Sequence, residues 1–273
     1  MKRTRPRFAS TLLTSVLLLA GSSAAQASDD PPGQHGRVTH QTVMETVESD
    51  CYEIPIPRAV KWIPARALVP QRYEPVGIVA AEPATRLRMW DIVCDDFSVD
   101  GQRYAPTTQI SMAAIHLATR DGVPVVESYY LLYLNTDNPV LAARLRQLRL
   151  PAQFEPGLSS SVSDPSSTPY KVAFAVPGEN TYTVSAVAAT APAPVPVSPA
   201  NPVRLYHEGA AGEVVDSITN PELAAAPAMV TADYRQHPLL VSLIAQDRLL
   251  QINATFAVGT ARGSWTATVT HLN

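Results

Sequence analysis

The sequence predicts a mainly β fold of the α+β class, an antiparallel, closed or nearly closed β-barrel with one or two short helices packed on it. Three observations lead there. Short apolar runs alternate with polar residues at the period of two of a half-buried strand, as in "ATRLRMWDIV", where Leu87, Met89 and Asp91 oppose Arg86, Arg88 and Trp90. Helical periodicity is scarce. Proline and glycine, 25 and 12 residues of 273, cut the chain into many short segments, and closing such strands into a barrel hides their edges.

In chain order, residues 1–27 read as an export signal: Lys2, Arg3, Arg5 and Arg7, then the apolar run Leu12 to Ala20, then the small-residue pattern Ala25-Gln26-Ala27. Cleavage after Ala27 would leave a polar leader at 28–37 and one domain at 38–273, secreted or periplasmic. Strand patterns recur in "QISMAAIHLA", "VVESYYLLYL", "KVAFAV", "TYTVSAVAA", "VRLYHE", "EVVDSI", "LLQINATFAV" and "GSWTATVTHL". Helices are expected at "IPARALV", with Pro64 in its first turn, and at "TDNPVLAARLRQL". In the second, Thr136, Asp137 or Asn138 caps and Pro139 fits the first turn, with Val140, Ala143 and Leu148 joining Leu141 and Leu145 as the apolar stripe. "NPELAAAP" offers a third, smaller helix. The Ser/Pro-rich segments 157–169 and 190–202 read as long surface connections within the domain.

Loss of the signal removes four of the 21 basic residues and none of the 24 acidic ones, moving the formal charge from −3 to −7. Such a balance argues against nucleic acid or an anionic membrane as partner. No run beyond the signal approaches the roughly 20 apolar residues of a membrane span. Cys51 and Cys94, an even count in an exported chain, are expected to form a disulfide worth about 4 kcal/mol on the chain-entropy model.

Standard catalytic signatures are missing: no G-x-S-x-G elbow, phosphate loop, H-E-x-x-H or dinucleotide glycine fingerprint. His35, His40, His116, His207, His237 and His271 are scattered without metal-ligand spacing, so no metal or cofactor is expected. Asp91, Asp95, Asp96 and Asp100 could suggest calcium, but they lack the order of the recognisable loop, and a solvated turn before "DG" is the preferred reading. Trp62, Trp90, Trp265, Tyr129, Tyr130 and Tyr133 are candidates to line an apolar cavity or to pack in the core. Alternation puts Tyr129 and Tyr130 on opposite faces. If the Glu127 face were interior, that carboxylate would be buried and a functional candidate; the preferred arrangement puts Glu127 and Tyr129 outside, with Ser128, Tyr130 and Leu132 inside.

The order of "ARALVPQRYEPV", several strands, and "YYLLYLNTDNPVLAARLRQLRLPA" resembles the acetoacetate decarboxylase superfamily over residues 50 to 190, with a looser match in "VRLYHEGAAGEVVDSIT". The resemblance implies a barrel around a mostly apolar cavity, in which a lysine of lowered pKa forms a Schiff base with a keto acid. Here the family's Pro-Lys step reads Pro151-Ala152-Gln153, its glutamate falls near Thr107 to Gln109, and its arginine falls near Cys51, so all three reactive types are absent from those positions. Beyond the signal the only lysines are Lys61 and Lys171. The leading expectation is therefore a secreted, non-catalytic barrel that binds a small apolar or keto-acid-like molecule, with Glu127, Tyr130, Arg144 and Arg146 as candidate contacts. The alternatives are a decarboxylase or aldolase-type lyase using Lys171 and a non-enzymatic interaction module. Oligomeric state is not legible.

Overall fold

The computed structural model describes residues 40–78, 82–164, 166–178, 181–195, 203–209, 212–219, 223–244 and 251–272. The expected signal and leader lie outside them. The elements follow as β1 (His40–Lys61), α1 (Trp62–Leu68), β2 (Tyr73–Pro75), β3 (Gly77–Ile78), β4 (Ala84–Val99), β5 (Gln102–Arg120), β6 (Val123–Pro124) and β7 (Ser128–Thr136). Next come α2 (Pro139–Gln147), β8 (Ala152–Phe154), β9 (Ser159–Val162), β10 (Tyr170–Val176), β11 (Tyr182–Ala188) and β12 (Ala193–Val195). The last are β13 (Val203–Gly209), β14 (Gly212–Thr219), β15 (Leu223–Asp233), α3 (Pro238–Leu243) and β16 (Gln251–Leu272).

The main strands bond in the order β1-β4-β5-β7-β13-β14-β16-β15-β11-β10-β9, and β1 also pairs with β16. That pairing links the flanks of the first seven strands, while β15, β11, β10 and β9 run on as an open wing. β13 and β8 both lie parallel to β7. The sheet is mixed and not purely antiparallel, and taken with this wing it is an open half-barrel where a closed or nearly closed antiparallel barrel is expected. Alternation reports which face of a strand is buried; it carries no information on strand direction or closure.

Two apolar layers form on opposite faces. On the inner face Ile54, Ile56, Leu87, Met89, Ala113 and Ile115 meet Val172, Phe174, Val184 and Val230 of the wing. On the other, Ile92, Ile110, Met112 and Leu131 pack under Leu141 and Leu145 of α2. The expected alternation in β4 holds: Leu87 and Met89 face the inner layer, and Trp90 and Ile92 the other. Cys51 and Cys94 are paired directly across β1 and β4 as a disulfide, S–S 2.00 Å.

α2 begins where its capping chemistry says it should. The Asn138 side chain accepts the backbone N–H groups of Val140 at 3.0 Å and Leu141 at 3.1 Å, and Pro139 occupies the first turn. Its buried face differs by one position: Ala142 is buried and Ala143 exposed, because Leu141 and Leu145, one turn apart, fix the rotation. Of the stretch "NPELAAAP", read as a third helix, the described residues from Leu223 onward instead open β15, which pairs with β16 from Leu223 to Asp233; eleven residues of ladder outweigh the helix propensity of alanine. The segments read as loops contain β9 and β12, and 196–202 lie outside the described residues.

A bulge in β7 matters for everything that follows. Ala114 of β5 pairs with Leu131 and Ala113 with Tyr133, leaving Leu132 as the extra residue. One added residue reverses the facing of all that comes after it. Tyr130 and Tyr133, three apart, consequently both join the inner layer, whereas strict alternation would send them to opposite sides.

Candidate functional site

At the centre of the inner face β4, β5 and β7 carry Asp91, Ser111 and Asn135 in one cross-strand row. All three are buried, Asp91 completely. The expectation that Asp91 belongs to a solvated acidic turn is wrong. The turn is further on, at Asp100 and Gly101, whose φ angles of 50° and 75° suit a tight hairpin, and Asp91 lies nine residues earlier in mid-strand on the side of Leu87 and Met89.

Around Asp91 gather side chains from distant segments. The Tyr182 hydroxyl from β11 donates to Asp91 Oδ1 and also meets the Ser111 Oγ. The Tyr182 ring lies 5.0 Å from that of Tyr234 and 5.8 Å from that of His237, and Tyr133 lies 5.2 Å from His237. Asp91 Oδ2, the Tyr133 and Tyr234 hydroxyls, Asn135 Oδ1 and His237 Nε2 are buried and have no partner at hydrogen-bond geometry among the described residues. Native interiors rarely leave so many polar atoms unpaired in one place, since each costs about 1–3 kcal/mol.

Electrostatics follow from burial. Desolvation raises the Asp91 carboxyl to about 7, against the opposing pull of its bonds to Tyr182 and Ser111, so it holds its proton in mildly acidic solution. Desolvation, reinforced by the Asp91 charge, pushes the Tyr133 and Tyr182 phenols well up, so both remain donors. Desolvation lowers His237 to about 4, leaving it neutral. Its Nδ1 accepts the Leu240 N–H at 3.5 Å as the cap of α3, which places the remaining proton on Nε2. At the rim, Arg58 shares the β1 face of Ile54, Ile56 and Val60. Its Nε is buried without a hydrogen-bond partner among the described residues, and its guanidinium is close enough to Tyr234 to interact with that phenol. The assembly offers neutral donors, one proton-holding carboxyl and one cation, a set suited to an uncharged carbonyl or a small carboxylate.

The residues singled out from sequence do not converge here, apart from Tyr133. Tyr130 is in the inner layer, but its ring lies tilted against those of Tyr73 at 5.5 Å and His207 at 5.6 Å. Glu127 is exposed, in a left-handed conformation with φ 44°, and accepts the Tyr129 hydroxyl at 3.0 Å. Tyr129, expected outside, is buried in the layer under α2. Arg144 pairs with Asp100 at 3.2 Å, and the Arg146 Nε donates to the Ala142 carbonyl, both on α2 and across the sheet from Asp91. Lys171 is exposed between buried Tyr170 and Val172. Lys61, half-buried, sits at the end of β1. The Trp265 side chain lies outside the described residues. A cleft of about 690 Å³ crosses β9, β10, β11, β15 and β16, but its carboxylate, Asp233, is held down to about 2 by its bonds to Arg235.

No family model matches the chain, and no curated protein matches its sequence. Several solved structures share its architecture. "Enduracididine biosynthesis enzyme MppR complexed with the condensation product of pyruvate and imidazole 4-carboxaldehyde" aligns with a TM-score of 0.55 at 12% identity, covering 85% of this chain and 90% of that one. "Structural Studies of Acetoacetate Decarboxylase" aligns with a TM-score of 0.54 at 13% identity, covering 85% and 89%. The fold is acetoacetate decarboxylase-like. On this fold, Ala152 packs in the layer under α2 and Gln153 is exposed, while Thr108 is buried and accepts the Asn138 amide at 3.1 Å. Those positions serve packing and helix capping.

Proposed function

We propose that this acetoacetate decarboxylase-like protein binds a small, largely apolar molecule bearing a keto or carboxylate group at the Asp91 cluster, without Schiff-base chemistry. The observation that carries this reading is the group of buried polar atoms on Asp91, Tyr133, Tyr234, Asn135 and His237 that have no hydrogen-bond partner among the described residues. In such a complex the protonated Asp91 carboxyl and the His237 Nε2–H donate to the ligand carbonyl, the tyrosine rings wall its apolar part, and Arg58 faces its carboxylate. The structural neighbour that is complexed with the condensation product of pyruvate and imidazole 4-carboxaldehyde supports a carbonyl-bearing ligand. The Cys51–Cys94 disulfide fits an exported protein in an oxidising compartment.

The test is borohydride trapping with acetoacetate and pyruvate, followed by peptide mapping, beside binding of the same two acids measured by native mass spectrometry. Reversible binding that weakens in Asp91→Asn and Tyr133→Phe, with no reduced adduct, is expected. An adduct at Lys171 or Lys61 would overturn the non-covalent reading in favour of the lyase alternative. Absence of any binding would leave the interaction module.

A further inference from the structure

On the opposite face of the same sheet, a pocket of about 360 Å³ is lined by Pro55 and Pro57 of β1, Arg86 and Arg88 of β4, His116 of β5, and Tyr129 with Glu127. The register explains why they meet: Pro57 pairs with Arg88 on one side, and His116 with Tyr129 on the other. The Arg88 guanidinium lies 4.9 Å from the Trp90 ring and 5.9 Å from the Tyr129 ring, and its Nη1 donates to the Tyr129 hydroxyl at 3.2 Å. That hydroxyl donates onward to Glu127, and the His116 ring stacks on Tyr129 at 4.8 Å. Such a stacked, hydrogen-bonded arginine is held in place before any ligand arrives.

Charge in the pocket is not balanced by the carboxylates around it. Arg86 is exposed and has no ion-pair partner among the described residues. Glu127 lines the pocket and offsets one of the two guanidinium charges, while burial pushes the nearby Glu53 carboxyl up toward its neutral form despite Arg88, which leaves one positive charge unmatched. Burial, together with Arg86 and Arg88, lowers His116. The pocket therefore combines two guanidinium groups with flat apolar walls of proline and aromatic ring.

We propose that this pocket is a second ligand site, separate from the Asp91 cluster, for a small carboxylate with a flat apolar body. Arg86 and Arg88 bind the carboxylate, and the body lies between the prolines and the His116–Tyr129 stack. Benzoate is the probe, with inorganic phosphate as the arm lacking an apolar body, and titration is followed by calorimetry and by the histidine ring resonances. His116 reports this pocket and His237 the inner face, so the two sites are read independently.

Saturable benzoate binding below about 10 mM that shifts His116, weakens about tenfold or more in Arg88→Gln and several-fold in Arg86→Gln, and tightens in Glu127→Gln is the expected result. Arg86, being exposed, keeps the test valid should the Arg88 variant fail to fold. Three outcomes would overturn the site: no saturable binding, binding indifferent to Arg86→Gln, or a shift of His237 in place of His116. Phosphate binding as tightly as benzoate would overturn the requirement for an apolar body.

Discussion

Replacing Asp91 by asparagine keeps the shape of the side chain and removes its titration, which isolates the energetics of the buried carboxyl. An ordinary aspartate loses its proton near pH 4, whereas Asp91 in the folded chain does so at about 7. Between those values the folded state binds a proton that the unfolded state has already lost. The stability contributed by the neutral carboxyl is complete below about pH 4, declines by about 1.4 kcal/mol per pH unit, and is gone above about pH 7. Three units give about 4 kcal/mol, a large share of the 5–15 kcal/mol typical of a domain. The assay is urea denaturation of wild type and Asp91→Asn at half-unit steps from pH 4 to 8.5. The stability of the variant relative to wild type should climb through that window and level off above pH 7. A difference that stays flat, or falls as pH rises, would refute the account of Asp91 as a desolvated, proton-holding group.

Three further outcomes are expected. Joint replacement of Cys51 and Cys94 by alanine, opening a loop with a sequence separation of 43, should lower stability by about 4 kcal/mol in the same denaturation assay. Asn138→Ala deprives two N–H groups at the start of α2 of their acceptor and should cost about 1–2 kcal/mol, with early loss of amide protection confined to that helix. Deleting Leu132 removes the bulge and leaves Tyr130, Leu131 and Tyr133 opposite Ile115, Ala114 and Ala113 in regular alternation, so both tyrosines keep to the inner layer and a cooperative thermal transition should survive; a collapsed transition would contradict the register described.

Local chemistry was readable in the sequence, and long-range geometry was not. The alternation around Met89 placed β4 correctly, and Asn138-Pro139 announced α2, because both signals act within a few residues. The Leu132 bulge left no comparable mark: "YYLLYL" scans equally well in either register, and only its pairing with β5 selects one. Asp91 was drawn into the wrong group by its neighbours Asp95 and Asp96, both exposed. Its partners Tyr182, Tyr234 and His237 stand at least 91 residues away, and no spacing rule links them. The alanine run at 224–226 has strong helix propensity, and only the presence of β16 makes it a strand.

The arrangement of β16 bears on how the chain acquires this form. Its backbone is bonded to β1, β14 and β15, with His40 opposite Leu272. β1 and β16, at opposite ends of the described chain, must find each other late and slowly, since the entropy of closing the connection is spent before any contact compensates. Until that final ribbon docks, three strands expose unsatisfied edges, which makes the nearly finished molecule the species most prone to stick to its neighbours.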